Sequence, residues 1–301
     1  MQILFIHGRA QENFAQEELL EKWSRALKQS FENAGITYPE ELTLTLPYYG
    51  KELILQRDLY QQDLEDKIYQ MRSPDGSPEE RDPDDLQKFQ GQLLDEIRKE
   101  VGITDKQIHE EEKEEIQDRG LRNWWPVLAI ARLLDNYSKA NGLANSMILK
   151  ETLDVATYLV VPKAKKTINK FFIDALTKEP TIVIAHSLGT VIAYDILQKL
   201  KREEWDICGL ITLGSPLGVN AVTRQFREPP KYPSVIKEIW LNLYDKHDIV
   251  SLRPLEGGHF RVDPKIINYE VINETEDRHG IEGYLSSPFV ATAVSELLNS
   301  R

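Results

Sequence analysis

The chain has little of several features that would assign it to a specialised class of protein. Its 301 residues include one cysteine, Cys208, so no disulfide can form within the chain. Cys208 lies in the apolar run ICGLITL, which favours a buried structural thiol. No run of about 18 apolar residues occurs, so we expect no integral membrane segment. Met1 is closely followed by ILFI, without a basic region or cleavage site, so we expect no signal peptide and a cytoplasmic location.

Clusters of lysine and arginine, which a nucleic-acid surface requires, are also missing. The net charge is -12, and residues 58–119 hold 20 acidic and 9 basic residues, a local charge of -11. We therefore expect neither nucleic acid nor an anionic membrane as a partner, whereas a protein partner for the acidic segment stays open. No zinc-type spacing and no phosphate-binding loop occur, so we expect no metal and no cofactor.

Six short apolar runs bounded by turn residues predict six strands. They cover residues 3–6, 42–46, 181–185, 207–213, 238–243 and 266–272. Their hydrophobicity is continuous rather than alternating, which is typical of strands buried on both faces of a parallel sheet. Helical patterns lie between most of them. The sequence therefore predicts a doubly wound α/β fold with a mainly parallel six-stranded sheet.

A long interval between the second and third strands predicts a large helical insertion. We expect it to cover residues 51–175, leaving 1–50 and 176–301 as the α/β core. Within it, residues 51–120 contain acidic amphipathic helices, and residues 121–161 contain apolar, cap-like helices. The sheet and the insertion therefore differ in both composition and predicted structure.

The segment PTIVIAHSLGTVIAYDILQ predicts a strand, a sharp turn and a helix, with Ser187 at the turn. It is a variant of G-x-S-x-G with Ala185 in the first glycine position and Gly189 in the last. A serine at such a turn has a strained backbone that presents its hydroxyl above the sheet, and only small residues fit two positions away. The pattern predicts Ser187 as a nucleophile and the Leu188 N–H, at the helix N-terminus, as one oxyanion donor.

A second oxyanion donor is expected where the first strand ends in FIHGRA. Gly8 permits the backbone to turn an amide towards the nucleophile, so we assign this donor to the backbone of Arg9. In the alternative interpretation, His7 and Gly8 only form a turn after an edge strand.

Two further residues complete a predicted triad. His279 follows the sixth strand and precedes the final helix, which is the place of the base in the chain order Ser, acid, His. His259 is the alternative base, although it precedes that strand. After the fifth strand, YDKHDIVS offers Asp245 and Asp248, and we prefer Asp248 because the apolar residues after it can anchor the loop. The acid would orient the imidazole and stabilise the imidazolium.

Five segments, HGRA, AHSLGT, TLGSPLG, DKHDIV and RHGIEGYL, together resemble the lipase and esterase branch of the α/β-hydrolase superfamily. The chain most resembles bacterial lipase-like proteins related to the domain that deacylates GPI-anchor inositol, over roughly residues 1–50 and 180–301. The resemblance implies hydrolysis of a small-molecule or lipid ester, with His186 and Ser215 as candidates for the substrate pocket. Two departures are Ala185 in place of glycine and the lack of two leading strands.

The apolar half of the insertion is expected to cover the nucleophile. Trp124, Leu128, Ala131 and Leu134 lie along one helical stripe, and Trp125 adds to it. This apolar surface is too large to leave in water, at about 25 cal/mol per Å². We therefore expect both tryptophans to line the substrate pocket and the acidic helices to stay on the outside. Alternatively, these residues only pack the insertion against itself.

The function predicted from the sequence is that of a serine esterase that acts through an acyl-enzyme. One alternative is a catalytically silent or partner-gated interaction module built on a hydrolase fold, because fold alone does not determine function. Thioester cleavage and acyl transfer to an alcohol would use the same residues. Every triad position is filled, which favours an active enzyme.

Overall fold

Six parallel strands form the centre of the molecule in the computed structural model, which describes residues 1–8, 15–70, 84–115, 127–140, 148–226, 229–275 and 277–300. The strands are β1 (Gln2–Ile6), β2 (Thr43–Thr45), β3 (Thr181–His186), β4 (Ile207–Leu213), β5 (Ile236–Tyr244) and β6 (Ile267–Glu270). They form one sheet in the order β2-β1-β3-β4-β5-β6, and all five pairings are parallel. The predicted α/β class with a six-stranded sheet is confirmed.

Helices cover both faces of this sheet. Those within the described residues are α1 (Gln16–Ala34), α2 (Gly50–Gln70), α3 (Asp85–Glu100), α4 (Asp105–Glu115), α5 (Val127–Ala140), α6 (Ile148–Val160), α7 (Pro162–Ala175), α8 (Leu188–Leu197), α9 (Asn220–Arg224), α10 (Ile281–Leu285) and α11 (Pro288–Asn299). Successive strand side chains point to opposite faces. Ile3 and Phe5 pack with α1, α10 and α11, whereas Leu4 and Ile6 pack with α8 and the helices between β2 and β3. This two-sided burial explains the continuous apolar runs of the sequence.

The strand order reverses at β1. β2 pairs with one side of β1 and β3 with the other, so the connections after β1 and β3 leave the sheet in different directions. In open α/β sheets such a reversal creates a crevice at the carboxyl ends of the strands, where ligands bind. His7 and Gly8 follow β1, and Ser187 follows β3, so these residues lie at this crevice.

The helices α2 to α7 occupy the interval that the sequence predicted to be an insertion. α3 packs against α5 and α6, and it buries Leu86, Phe89, Leu93 and Ile97. These are the apolar residues that the amphipathic pattern of this acidic segment places on one face, and the acidic residues of α3 stay half-buried or exposed.

The apolar stripe of α5 differs from the predicted one. Val127, Ile130, Ala131 and Leu134 are buried, at the helical spacing i, i+3, i+4 and i+7. Leu128, which we expected on this stripe, lies on the outer face with 45% of its surface exposed. The prediction for Leu128 is wrong because the stripe begins one residue earlier.

A buried carboxylate joins α6 and α7 to α8. Asp195 on α8 accepts a hydrogen bond from the Tyr158 hydroxyl of α6 at 3.1 Å. The Nζ atoms of Lys165 on α7 and Lys199 on α8 lie 2.9 and 2.8 Å from its two oxygens. Burial opposes the charged form, but the two lysines outweigh it and hold the pKa of Asp195 below its ordinary value. Asp195 therefore stabilises the folded protein as an ion.

We expect Asp195→Asn to lower the free energy of unfolding at neutral pH by about 2 kcal/mol, because the lysines lose a buried partner. Urea denaturation measures this change. Because the folded-state pKa of Asp195 is lowered, its contribution is present above the unfolded pKa of about 3.9 and is lost as the pH falls below it.

The matched control is Asp174→Asn, which removes the partner of Lys170 in an exposed i,i+4 pair on α7. An exposed pair of this kind contributes about 0.3–0.5 kcal/mol. Equal losses in the two variants would contradict a stabilising role for the Asp195 cluster.

Candidate active site

Ser187 lies at the turn between β3 and α8. Its backbone has φ 52° and ψ −126°, and no other non-glycine residue in the described part of the chain has a positive φ. Such a conformation costs on the order of 1–3 kcal/mol and persists only where the surroundings enforce it. Here the Ser187 N–H donates to the Leu213 carbonyl of β4 at 3.0 Å, and Thr190 donates to the Ser187 carbonyl from its N–H and its hydroxyl. The turn is thus held from both sides.

The start of α8 directly contacts the end of β1. A Cβ atom added at Gly189 would lie 2.1 Å from the Ile6 carbonyl oxygen and 2.7 Å from that of His7. One added at Gly8 would lie 2.9 Å from Ser187 Cβ. The segments FIHG and AHSLG, remote in sequence, therefore lie side by side, and position 189 has room only for glycine.

The connection after β1 is shaped by His7. Its buried ring stacks on Tyr49, with 3.9 Å between ring centroids, and Nδ1 donates to the Gly8 carbonyl at 2.6 Å. Nε2 accepts from the Tyr49 N–H at 3.3 Å, and the Tyr49 hydroxyl donates to the His7 carbonyl. Burial lowers the pKa of His7 to about 4, so the ring is neutral at physiological pH. These contacts fix the backbone that leads towards the nucleophile.

The two predicted oxyanion donors differ in what the structure describes. Leu188 is the first residue of α8, directly after Ser187, and an N–H at this helical position has no acceptor within its own helix. The Leu188 N–H therefore stays a candidate donor to a ligand at the turn. Arg9 lies outside the described residues.

The predicted acid and base are hydrogen-bonded to each other. His279 Nδ1 lies 2.6 Å from Asp248 Oδ2. The same carboxylate accepts hydrogen bonds from the Tyr284 hydroxyl at 2.7 Å, the Ser251 hydroxyl at 3.0 Å and the Val250 N–H at 2.9 Å. These donors fix the orientation of the carboxylate, which in turn fixes the plane of the imidazole.

The protonation of this pair follows from its surroundings. Burial lowers the pKa of His279, but the charges of Asp248 and Glu151 outweigh it and raise the pKa to about 9. Burial also opposes the charge on Asp248, yet the histidine and the other donors hold its pKa below the ordinary value. His279 Nε2 is buried and has no hydrogen-bond partner among the described residues. In the neutral ring this atom can accept a proton.

The alternative acid and base lie elsewhere. Asp245 accepts hydrogen bonds from the N–H groups of His247 and Asn273, at 2.8 and 2.9 Å, and so connects the loops after β5 and β6. His259 contacts Arg253. Among the acid and base candidates predicted from the sequence, the structure places Asp248 and His279 in contact with each other.

His186, which the sequence predicts as a candidate for the substrate pocket, is buried at the end of β3. Its Nε2 donates to the His279 carbonyl at 2.8 Å, and the two rings lie 4.9 Å apart. Burial, followed by the charge of His279, lowers the pKa of His186 to about 3, so it stays neutral. His186 is 7% exposed, and its hydrogen bond to the His279 carbonyl joins the loop that carries His279 to the end of β3, directly before Ser187.

Ser215 borders a shallow cleft between α3 and the loops after β4 and β5. Its hydroxyl is hydrogen-bonded to that of Thr190 at 2.8 Å, which ties this wall to the turn of the nucleophile. The cleft is also lined by Ser251, which contacts Asp248, and by the ion pair of Glu100 and Arg253. Trp124 and Trp125, also predicted to line the pocket, lie outside the described residues.

Sequence reasoning missed three residues around His279. Tyr284 and Ser251 donate to Asp248, and they lie in the segments RHGIEGYL and YDKHDIVS. The hydroxyl groups of these two side chains were the only feature of the sequence that could have indicated this role. Glu151 Oε2 lies 4.0 Å from His279 Nε2 and comes from α6, far upstream in the chain. No local pattern could have connected these two residues.

Within the described ranges, no group of three or more His, Cys, Asp or Glu side chains could hold a metal ion, and no helix is long and apolar enough to cross a membrane. Comparisons with protein-family models and with curated proteins find no match for the chain. The interpretation of the site therefore depends on its geometry.

We expect Gly189→Ala to lower the free energy of unfolding by about 3 kcal/mol, because the added methyl group forces α8 away from β1. Gly258→Ala is the control, since a Cβ atom there meets nothing within 4 Å, and it should change stability by less than about 0.5 kcal/mol. Urea denaturation of both variants measures the difference. A Gly189→Ala protein as stable as the control would contradict the close approach.

Proposed function

We propose that this chain is a serine hydrolase that cleaves carboxylic esters, with Ser187 as nucleophile, His279 as general base and Asp248 as the orienting acid. The observation that carries the proposal is the hydrogen bond between buried Asp248 and His279 Nδ1. It leaves Nε2 without a hydrogen-bond partner among the described residues, and His186, which directly precedes Ser187 at its strained turn, donates to the His279 carbonyl. An ion pair with a purely structural role would not explain why Ser187 has a disfavoured backbone conformation.

The order of the strands supports the finer assignment to the α/β-hydrolase fold. The nucleophile follows β3, the acid follows β5 and the histidine follows β6, so the chain order is Ser, Asp, His. All three lie at the carboxyl ends of parallel strands, near the reversal at β1. This arrangement, with the segment TLGSPLG beside the nucleophile, agrees with the lipase and esterase branch of that superfamily.

The proposed reaction has two acyl-transfer steps. Ser187 Oγ attacks the ester carbonyl carbon while its proton passes to His279 Nε2, and the carbonyl electrons move onto the oxygen. The Leu188 N–H, with the predicted backbone donor at Arg9, stabilises this oxyanion. When the intermediate collapses, the alcohol leaves with the proton from His279. Water, activated by the same histidine, then releases the acid from Ser187.

We expect the wild-type protein to hydrolyse a short p-nitrophenyl ester and to react with a fluorophosphonate probe, which labels only activated serines. Ser187→Ala should abolish both while leaving the urea midpoint nearly unchanged. Ser234→Ala, at an exposed serine, is the control and should keep both. Labelling that survives in Ser187→Ala would assign the nucleophile to another residue, and an unlabelled wild type would favour a non-catalytic module.

We expect Asp248→Asn to lower kcat/KM at neutral pH by a factor on the order of 10⁴, because the imidazole loses the group that selects its tautomer. Asp245→Asn removes a carboxylate that is equally buried but bonded to other groups, so it should affect stability more than rate. Ester hydrolysis by folded protein, verified by circular dichroism, tests the ranking. A larger loss of rate in Asp245→Asn would identify that residue as the acid.

A further inference from the structure

The imidazole of His279 lies between two carboxylates from different parts of the chain. Asp248 binds Nδ1 at 2.6 Å, and Glu151 Oε2 approaches Nε2 to 4.0 Å. The side chains of His279 and Glu151 are only 13% and 16% exposed, so bulk water screens their interaction weakly. Nε2 is the atom that receives the proton in the proposed reaction. A second negative charge therefore faces the position where positive charge develops.

The charges around the imidazole come from several elements. Among the described residues, the titratable groups that face it are Asp248 after β5, Glu151 on α6, Asp277 in its own loop, His186 at the end of β3 and Tyr284 on α10. Burial keeps His186 neutral, and burial together with the charge of Asp248 keeps the Tyr284 hydroxyl protonated. The negative charges thus come from the acid of the triad, from Asp277 and from the insertion.

Glu151 is held in place by the helix that carries it. The same helix α6 provides Tyr158, whose hydroxyl is bonded to Asp195 on α8. α8 begins directly after Ser187. The helix that carries Glu151 is therefore hydrogen-bonded to the helix that follows Ser187. The packing of these helices fixes the distance between Glu151 Oε2 and His279 Nε2.

We propose that Glu151 is a positioning residue for the catalytic base, whose carboxylate stabilises the imidazolium that forms when His279 takes the proton of Ser187. This inference rests on the proposed function. A full charge at about 4 Å shifts a protonation equilibrium about fivefold even in bulk water, and more in a buried site. No bond to Glu151 forms or breaks, and the proton stays on His279 until the alcohol leaves.

Two effects of opposite direction follow for the pH dependence. In the free protein Glu151 favours protonated His279, which cannot act as a base, and the raised pKa of about 9 means that kcat/KM should rise with pH up to that value. Once the ring is neutral, the same carboxylate stabilises the charge that develops in the transition state. Glu151 therefore lowers activity at acidic pH and raises it at alkaline pH.

The test is the pH profile of kcat/KM for a p-nitrophenyl ester in Glu151→Gln. We expect the ascending limb to move to lower pH by about one pH unit or more, and the alkaline plateau to fall several-fold. The loss relative to wild type should therefore be smallest, or reversed, at low pH. Glu110→Gln removes the same charge from the exposed side of α4 and should change neither limb nor plateau.

A second measurement does not depend on activity. The His279 C–H resonance, assigned by its loss in His279→Ala, is titrated by NMR in wild type and in Glu151→Gln. A lower pKa in the variant supports the inference, whereas an unchanged pKa and an unchanged ascending limb overturn it. If Glu151→Gln does not fold, Glu151→Asp retains the charge at a longer distance and should move the limb in the same direction by less.

The measurements distinguish an error in the role of Glu151 from an error in the proposed function. A wild-type protein that shows neither ester hydrolysis nor fluorophosphonate labelling would overturn the proposed function. An active wild type with a Glu151→Gln profile that falls equally at every pH would overturn only the role of Glu151, because a purely structural effect lowers the rate without moving the limb.

Discussion

A carboxylate removed from water is stable only where several donors surround it, and Asp248 is 1% exposed. Its donors come from three segments: its own loop, the loop after β6 and α10. Two of these segments are loops and α10 has only five residues, so their positions are determined less by local propensity than by the need to satisfy this charge. The location of the imidazole is therefore a consequence of solvating Asp248 within the protein.

The opposite side of the site is stabilised by packing. The strained turn at Ser187 is held where α8 meets β1 at a distance that only Gly189 permits, and the stacked rings of His7 and Tyr49 support the adjoining backbone. His186 joins the two sides, since it belongs to β3 and donates to the His279 carbonyl. Steric fit thus positions Ser187, and hydrogen bonding positions the imidazole of His279.

The difference between steric packing and long-range hydrogen bonding explains which features could be predicted from the sequence. The inner strands β1, β3 and β4 were recognisable because burial on both faces leaves a continuous apolar run, whereas the edge strands β2 and β6 are exposed or half-buried. The serine turn was recognisable because its sterics demand small residues at fixed spacing, as at Ala185 and Gly189. Tyr284 and Glu151 could not be found in this way, because their roles depend on which segments the tertiary fold brings together.

The ion cluster of Asp195 couples the helices between β2 and β3 to α8, so these helices are not a separable unit. Excising the helices between β2 and β3 to obtain a minimal core would remove Tyr158 and Lys165, uncover the face of α8 on which they pack, and leave Asp195 with Lys199 as the one remaining cation of the cluster. It would also remove one of the two carboxylates beside His279. A shortened protein or a chimera with a foreign insertion would therefore need compensating changes on α8 as well as new loops at the junctions.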